Sequence, residues 1–307
     1  MRRTGITAPS DNVKAKKGTT RTVEVGGTRF DDGDDGPYPR DLYDFGAVAE
    51  TIDGFGAVTD EQLDRYRELG YLAIDNAFSM KAVAEAEEAL DKLIDGEPPD
   101  KSCVQFEKWA AERLGELSRD QKQDAVRKFE NFTQKDRRLR AMAFDPGLTA
   151  LIERITECRD IELMQEMALI KAPRGREKPW HQDRAYFNLA PTVPIVGVWI
   201  ALHEATPQNG CMRVLPRLHR DGPVIHFQRR DWQICDTQIA TPQAVAVPLR
   251  PGGLLIFDAL VPHGTPVNQT SQRRWALQFH YCPKGAARTD DDQRLASFGS
   301  EGKDVEC

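Results

Sequence analysis

Apolar residues recur every three or four positions between residues 58 and 158, a spacing typical of helices that bury one face. Thr59 begins a capping-box pattern and Gly70 is a typical helix end, so a first helix is predicted between them. A short strand is predicted at 71–74, and Ser79 is expected to cap a second helix. Further helices are predicted at 106–113, 121–132 and 148–158.

After residue 160 the pattern changes to short apolar or alternating runs separated by proline and glycine, which is typical of strands. These runs lie at 161–171, 195–202, 211–215, 244–249, 253–257 and 274–282. Helices followed by many antiparallel strands favour a mainly β protein, in which a jelly roll is supported by N-terminal helices. The strand-then-helix alternation of a doubly wound fold is absent from the sequence.

Residues 1–45 differ in composition from the rest of the chain. Seven basic and two acidic residues at 2–29 are followed by six aspartates at 31–44, with no apolar periodicity. This composition predicts a flexible N-terminal arm, of which the aromatic segment 37–43 is the part expected to dock. The remainder, 46–307, is predicted to be one domain. Its expected parts are helical support at 58–158 and a β core at 160–285.

Composition and charge exclude several classes of partner. The 307 residues include 42 Lys+Arg and 48 Asp+Glu, and a net charge of −6 predicts no nucleic-acid partner. No apolar run approaches the roughly 20 residues that span a bilayer, so no membrane partner is predicted. Only polar sequence follows the first arginines, which indicates no export signal, and we expect a cytoplasmic location. A small-molecule substrate is expected, and the oligomeric state stays open.

The clearest candidate for chemistry is the pair His181 and Asp183, together with His263 further along the chain. Residues two apart on an extended segment point to the same side, so His181 and Asp183 can reach one point. A histidine from a neighbouring strand would complete two imidazoles and one carboxylate, the ligand set of non-haem Fe(II) oxygenases. The same spacing occurs at His219 and Asp221, where the surrounding proline and glycine predict a surface loop.

Arg274 stands eleven residues beyond His263 and opens the last predicted strand. A hairpin-like return of the chain would bring its guanidinium beside the proposed metal site. There it can bind a carboxylate through two charge-assisted hydrogen bonds, each of roughly 1.5–3 kcal/mol. The neighbouring Arg273 points to the opposite face and is expected to form a structural ion pair.

The segment 161–281 resembles the phytanoyl-CoA dioxygenase family of Fe(II)/2-oxoglutarate-dependent oxygenases. The resemblance includes the pair His263 and Arg274, and the predicted helix–strand–helix at 58–95 is similar to the beginning of that family's domain. Four further blocks are shared in order, namely Lys171-Ala172-Pro173, Trp180-His181-Gln182-Asp183-x-Ala185-Tyr186-Phe187, Val198-Trp199-Ile200-Ala201-Leu202 and Asn209-Gly210-Cys211-Met212-Arg213-Val214-Leu215-Pro216.

The resemblance implies a double-stranded β-helix, a cupin-like jelly roll. It also implies that Fe(II) is bound by His181, Asp183 and His263. Co-substrate contacts are implied for a larger set, in which Arg274 holds the distal carboxylate of 2-oxoglutarate. That set comprises Arg274, Thr265, Trp199, Gln165 and Lys128, the last resembling a helical lysine of relatives.

Substrate contacts are the least determined by the sequence. Relatives usually read Pro-Gly-Ser-His where this chain has Pro216-Arg217-Leu218-His219, so a bulky cation replaces the glycine of that bend. The loop borders the pocket mouth in relatives, which suggests a substrate contact for Arg217. Further candidate substrate contacts are Gln182, Tyr186 and Trp232.

The reaction that the resemblance implies is hydroxylation of an unactivated C–H bond, in which O₂ is consumed and succinate and CO₂ are released. Related halogenases lack the ligand carboxylate, so Asp183 disfavours halogenation. Desaturation or cyclisation of a natural-product intermediate could use the same centre. A non-catalytic jelly-roll binding protein is a second alternative, and a Zn²⁺ hydrolase lacks an H-E-x-x-H motif.

Overall fold

The computed structural model describes residues 22–25, 27–31, 33, 36–96 and 103–299. The helices are α1 Asp60–Leu69, α2 Met80–Ile94, α3 Arg119–Ala125, α4 Arg137–Ala143, α5 Pro146–Thr156 and α6 Asp291–Phe298. No helix among these residues is long and apolar enough to cross a membrane.

Seventeen strands are present within the described ranges. The first eight are β1 Thr22–Val25, β2 Thr28–Asp31, β3 Ala47–Val48, β4 Thr51–Asp53, β5 Tyr71–Asp75, β6 Val104–Glu107, β7 Val126–Glu130 and β8 Ile161–Lys171. The others are β9 Lys178–His181, β10 Val196–Ala201, β11 Met212–Val214, β12 His226–Gln228, β13 Trp232–Ile234, β14 Val245–Val247, β15 Leu254–Asp258, β16 His263–Thr265 and β17 Arg274–Pro283.

The strands form two facing sheets and a small hairpin. The ten-stranded sheet has the order β1-β2-β6-β7-β8-β17-β10-β15-β5-β4, and the five-stranded sheet has the order β3-β14-β11-β16-β9. Strands β12 and β13 pair separately. Two sheets of mostly antiparallel strands that face each other make a jelly roll, so the predicted fold class is confirmed.

Alternation along β10 shows where the core lies. Trp199 and Ala201 pack towards the five-stranded sheet, in one cluster with Met212. Val198 and Ile200 point to the other side and pack in the larger cluster that includes the helices. Because successive side chains of a strand point to opposite faces, the large sheet is buried on both sides. The predicted helical support therefore covers its outer face.

Several predicted elements have the expected limits. Gly70 ends α1 in the left-handed conformation, at φ 83°, and the Ser79 side chain accepts a hydrogen bond from the Ala82 backbone N–H at 3.2 Å. Strand β8 has the predicted bounds. Helix α5 begins two residues earlier than predicted, because Asp145 caps it and Pro146 occupies its first turn.

The helix predicted at 106–113 is wrong, and of the helix predicted at 121–132 only residues 121–125 are helical, at the end of α3. Strand β6 is followed by a short turn, and α3 ends at Ala125 where β7 begins. Strand β7 pairs with β6 on one side and β8 on the other. Hydrogen bonding to two sheet neighbours therefore outweighs the helix-like spacing of Val126, Phe129 and Phe132.

Part of the segment predicted as a flexible arm belongs to the large sheet. Strands β1 and β2 form an antiparallel hairpin, and β2 pairs in parallel with β6. The docking predicted for 37–43 is confirmed, because Leu42 and Tyr43 are buried and the Tyr43 ring stacks on Trp180. The boundary between arm and domain at residue 45 stays a prediction.

Candidate active site

His181 and His263 are brought together by the pairing of two short strands. His181 ends β9 and His263 begins β16, and the two residues are partners in the antiparallel register. Asp183 follows in a short helical turn, so that its carboxylate faces both imidazoles. Its Oδ1 lies 3.2 Å from His181 Nε2, and its Oδ2 lies 3.5 Å from His263 Nε2. The three side chains are buried, and their ligand atoms lie within 4.8 Å of one another.

Backbone contacts orient both imidazoles. The Nδ1 of His181 lies 2.7 Å from the Pro179 carbonyl oxygen, and the Nδ1 of His263 lies 3.0 Å from that of Val261. With Nδ1 as the donor, both Nε2 atoms are left as acceptors that face Asp183. This is the tautomer that binds a metal through Nε2.

The charges within the triad match what a divalent metal needs. Burial lowers the pKa of His263 to about 4, so its imidazole is neutral at neutral pH. Burial raises the pKa of Asp183, but the nearby His263 and His280 and a hydrogen bond from His280 hold it well below its usual range. Neutral imidazoles and an ionised carboxylate are the protonation states that ligate a metal.

Two polar residues of β17 form hydrogen bonds with the Asp183 carboxylate. Its Oδ2 accepts hydrogen bonds from Gln278 Nε2 at 3.0 Å and from His280 Nε2 at 2.7 Å. Both side chains are buried. Sequence reasoning missed them, although Arg274, Gln278 and His280 lie at even spacing in an otherwise apolar strand. That alternation places them on one face of β17.

A cavity of about 400 Å³ opens beside the triad. Arg274 lines it and is only 2% exposed. Its guanidinium lies 5.0 Å from the centre of the Trp199 ring, and burial lowers its pKa to about 9. Among the described residues, Nε and Nη1 of Arg274 have no hydrogen-bond partner. A buried guanidinium with two free donors is suited to bind a carboxylate.

The structure brings the other predicted co-substrate residues to the same cavity. Thr265, Trp199, Gln165 and Lys128 all line it, as do the three candidate metal ligands. Lys128 was expected on a helix and is found on strand β7, where its Nζ lies 2.9 Å from Glu130.

Of the four predicted substrate contacts, only Tyr186 lines the cavity. Gln182 is buried and donates hydrogen bonds to the carbonyls of Gly222 and Leu260, at 2.9 and 2.7 Å, which holds the following loop. Trp232 packs in a separate apolar cluster. The structure therefore gives Gln182 and Trp232 packing roles away from the cavity lining.

Arg217 also lies away from the cavity lining, on the surface. It has φ 71°, the left-handed conformation that favours glycine, so the bend is kept although the glycine of relatives is absent. Its guanidinium pairs with Glu68 at 2.7 Å. The nearby His219 and Asp221 lie in a surface turn, as predicted.

The part of the cavity lined by the N-terminal hairpin, which we call the outer end, contains residues that sequence reasoning missed. Thr22, Arg29 and Asp31 of the N-terminal hairpin line it. Arg29 pairs with Glu130 at 2.7 Å, and Asp31 pairs with Arg176. The sequence Thr22–Asp31 did contain a signal for this hairpin. Polar and apolar residues alternate on either side of two glycines, which is typical of a hairpin.

Comparison with known proteins places this arrangement in a family. The family profile described as "Phytanoyl-CoA dioxygenase (PhyH)" matches residues 66–276. A curated relative, methylphosphonate hydroxylase of Gimesia maris, is 28% identical over 239 residues, which cover 73% of this chain and 80% of that protein.

Two solved structures share the fold. The non-heme alpha ketoglutarate dependent carbocyclase SnoK from nogalamycin biosynthesis has a TM-score of 0.60 at 20% identity, over 80% of this chain and 93% of that one. EvdO2 of Micromonospora carbonacea var. aurantiaca, complexed with 2-oxoglutarate, has a TM-score of 0.58 at 23% identity. The match covers 78% of this chain and 97% of that one. At these identities the likeness shows the fold alone.

Proposed function

Because this chain belongs to the phytanoyl-CoA dioxygenase family, we propose that it is an Fe(II)- and 2-oxoglutarate-dependent oxygenase that hydroxylates an unactivated C–H bond of a small molecule. O₂ is consumed, and succinate and CO₂ are released. The observation that carries the proposal is the buried triad of His181, Asp183 and His263, which borders a cavity that also contains Arg274.

The triad fits Fe(II). Two neutral imidazole nitrogens and one carboxylate oxygen are the ligands that this metal has in non-haem oxygenases, and they leave positions open for further ligands. Iron in this site, together with 2-oxoglutarate, supplies the O₂ chemistry that oxidises the C–H bond. Gln278 and His280 keep the Asp183 carboxylate in place, since both donate to its Oδ2.

The cavity fits 2-oxoglutarate. The unpartnered Nε and Nη1 of Arg274 can donate to its distal carboxylate, and the Thr265 hydroxyl lines the same cavity. The Trp199 ring lies beside this guanidinium, with its centre 5.0 Å away. Gln165 and Lys128 are the further residues that we assign to co-substrate binding, and Tyr186 is the one that we assign to the substrate.

Hydroxylation is preferred to the alternative outcomes because of Asp183. Its carboxylate occupies the position that halogenases leave open for a halide. Desaturation and cyclisation would use the same ligands, and the carbocyclase among the structural neighbours supports only the common fold. The fully assembled triad and the free donors of Arg274 support turnover rather than a binding role without chemistry.

The test is optical. Anaerobic protein with Fe(II) and 2-oxoglutarate is expected to show a weak visible charge-transfer band, and His181→Ala is expected to abolish it. His219→Ala is the matched control, because His219 has the same spacing to an aspartate but lies in a surface turn. A wild-type protein without the band, or an undiminished band in His181→Ala, would contradict the metal assignment.

A further inference from the structure

We infer that Lys171 is a positioning residue for the distal carboxylate of the co-substrate. It converts the Thr265 hydroxyl into an obligatory hydrogen-bond donor towards that carboxylate and adds a second buried positive charge beside Arg274. The inference rests on the proposed function, because it assigns a role within the 2-oxo acid site.

Lys171 is a buried cation without an acidic partner. It ends strand β8, is 2% exposed, and is the register partner of Arg274 on β17. No carboxylate of the described residues lies within ion-pair distance of its ammonium group, and both cations line the cavity. Two neighbouring buried cations without a counter-ion are costly, and an anion between them removes much of that cost.

The electrostatics of the site agree with this geometry. Burial, and then the charge of Arg274, lowers the pKa of Lys171 well below its usual value. A bound carboxylate has the opposite effect, because a negative charge close to an ammonium group favours its protonated form. Lys171 and a dianionic ligand therefore stabilise each other.

The chain provides space for this long side chain. A Cβ at Gly210 would lie 3.0 Å from Lys171 Cδ and 3.2 Å from its Nζ, and one at Gly175 would lie 3.2 Å from its Cγ. Few Cβ atoms approach another atom so closely. The two glycines thus form a passage that directs the ammonium group to the residues beyond His263.

The hydrogen bonds of the ammonium group determine what Thr265 can do. Lys171 Nζ donates to Thr265 Oγ1 at 2.9 Å, and also to the Pro266 carbonyl oxygen. An ammonium group has only donors, whereas a hydroxyl has one proton and two lone pairs. Lys171 therefore uses an acceptor site of the hydroxyl, whose proton must point to another acceptor.

No such acceptor for the Thr265 proton lies within hydrogen-bond distance among the residues that the structure describes. Thr265 and Arg274 line the same cavity, and Arg274 has Nε and Nη1 free. A carboxylate bound there can accept from both residues. Lys171 acts on this carboxylate through Thr265 and through its charge, without a required direct contact.

The experiment compares two 2-oxo acids in the anaerobic Fe(II) protein. 2-Oxoglutarate has the distal carboxylate, whereas 2-oxopentanoate has a methyl group in its place. In Lys171→Met the Kd of 2-oxoglutarate, measured from the visible band, is expected to rise about ten- to a hundredfold. The Kd of 2-oxopentanoate and the affinity for Fe(II) are expected to stay unchanged, which a merely structural role of Lys171 would not produce.

Thr265→Val tests whether Lys171 acts through the Thr265 hydroxyl. It also keeps the inference testable if Lys171→Met fails to fold. It is expected to weaken 2-oxoglutarate binding, and the double variant is expected to lose less than the sum of the two single losses. Lys171→Gln, which keeps a donor but has no charge, is expected to lie between wild type and Lys171→Met.

Three results would overturn the inference. These are unchanged 2-oxoglutarate binding in Lys171→Met, an equal loss for both 2-oxo acids, and fully additive losses in the double variant. A wild-type protein that gives no band with 2-oxoglutarate instead overturns the proposed function itself, so the two failures are distinguishable.

Discussion

The two ends of the cavity differ in how their charged side chains are neutralised. At the inner end, Arg274 has two unpartnered nitrogens and Lys171 has only neutral acceptors. At the outer end, charges of opposite sign already pair with each other, as in Arg29 with Glu130 at 2.7 Å and Asp31 with Arg176.

This difference indicates what each end is built to bind. Buried donors that lack a protein partner require a ligand with a matching group in a fixed position. Charges that neutralise each other place no such demand, and they can exchange partners with a polar substrate. The inner end is therefore suited to one small anion, whereas the outer end makes no comparable demand on a ligand.

The largest expected effect is at the inner end. Replacing Arg274 by leucine removes two charge-assisted hydrogen bonds, so the Kd of 2-oxoglutarate is expected to rise at least about a hundredfold. Titration of the visible band under anaerobic conditions measures it. Fe(II) binding without the co-substrate is expected to persist, because the triad is left intact.

Arg273→Leu is the matched control, since the neighbouring arginine points away from the cavity. Its guanidinium pairs with Asp124 at 2.6 Å and Asp120 at 2.8 Å, near the surface. The loss of these pairs is expected to cost about 1 kcal/mol of stability and to leave the Kd unchanged. Equal losses of co-substrate affinity in both variants would show that the inner end has no special role.

The inner end could be predicted from the sequence because its residues lie close together or follow simple rules. His181 and Asp183 are two apart, and Arg274 opens a strand after His263. The role of Lys171 was not predictable in this way. It depends on Thr265 and on the passage between Gly175 and Gly210, which come from segments that meet only in the folded chain.

The outer end was misread for a related reason. Strand β2 pairs with β6, so Arg29 lies opposite Gln105, and a polar segment with a remote partner has the composition of an arm. Strand β7 was predicted as a helix because Val126 and Phe129 have helical spacing. In both cases the strand is determined by neighbours that are distant in sequence, which local patterns do not contain.

A smaller effect is expected at the outer end. Arg29→Ala removes one half-buried ion pair, and Glu130 keeps Lys128 as a partner at 2.9 Å. We expect a loss of about 1 kcal/mol or less in unfolding free energy and no change in the Kd of 2-oxoglutarate. Calorimetry and the visible band measure the two quantities. A tenfold rise in that Kd would show that the two ends are not independent.

The smallest expected effect lies outside both ends, at Arg217. Because this residue has φ 71°, Arg217→Gly relieves backbone strain and is expected to stabilise the fold by up to about 1 kcal/mol, measured by denaturant unfolding. Arg217→Ala also loses the contact with Glu68 but keeps the strain, so it is expected to bring no gain. Both variants should bind 2-oxoglutarate like wild type, since Arg217 does not line the cavity. A changed affinity for 2-oxoglutarate in either variant would show that this loop affects the co-substrate site. Binding would then depend on more than the inner and outer ends of the cavity.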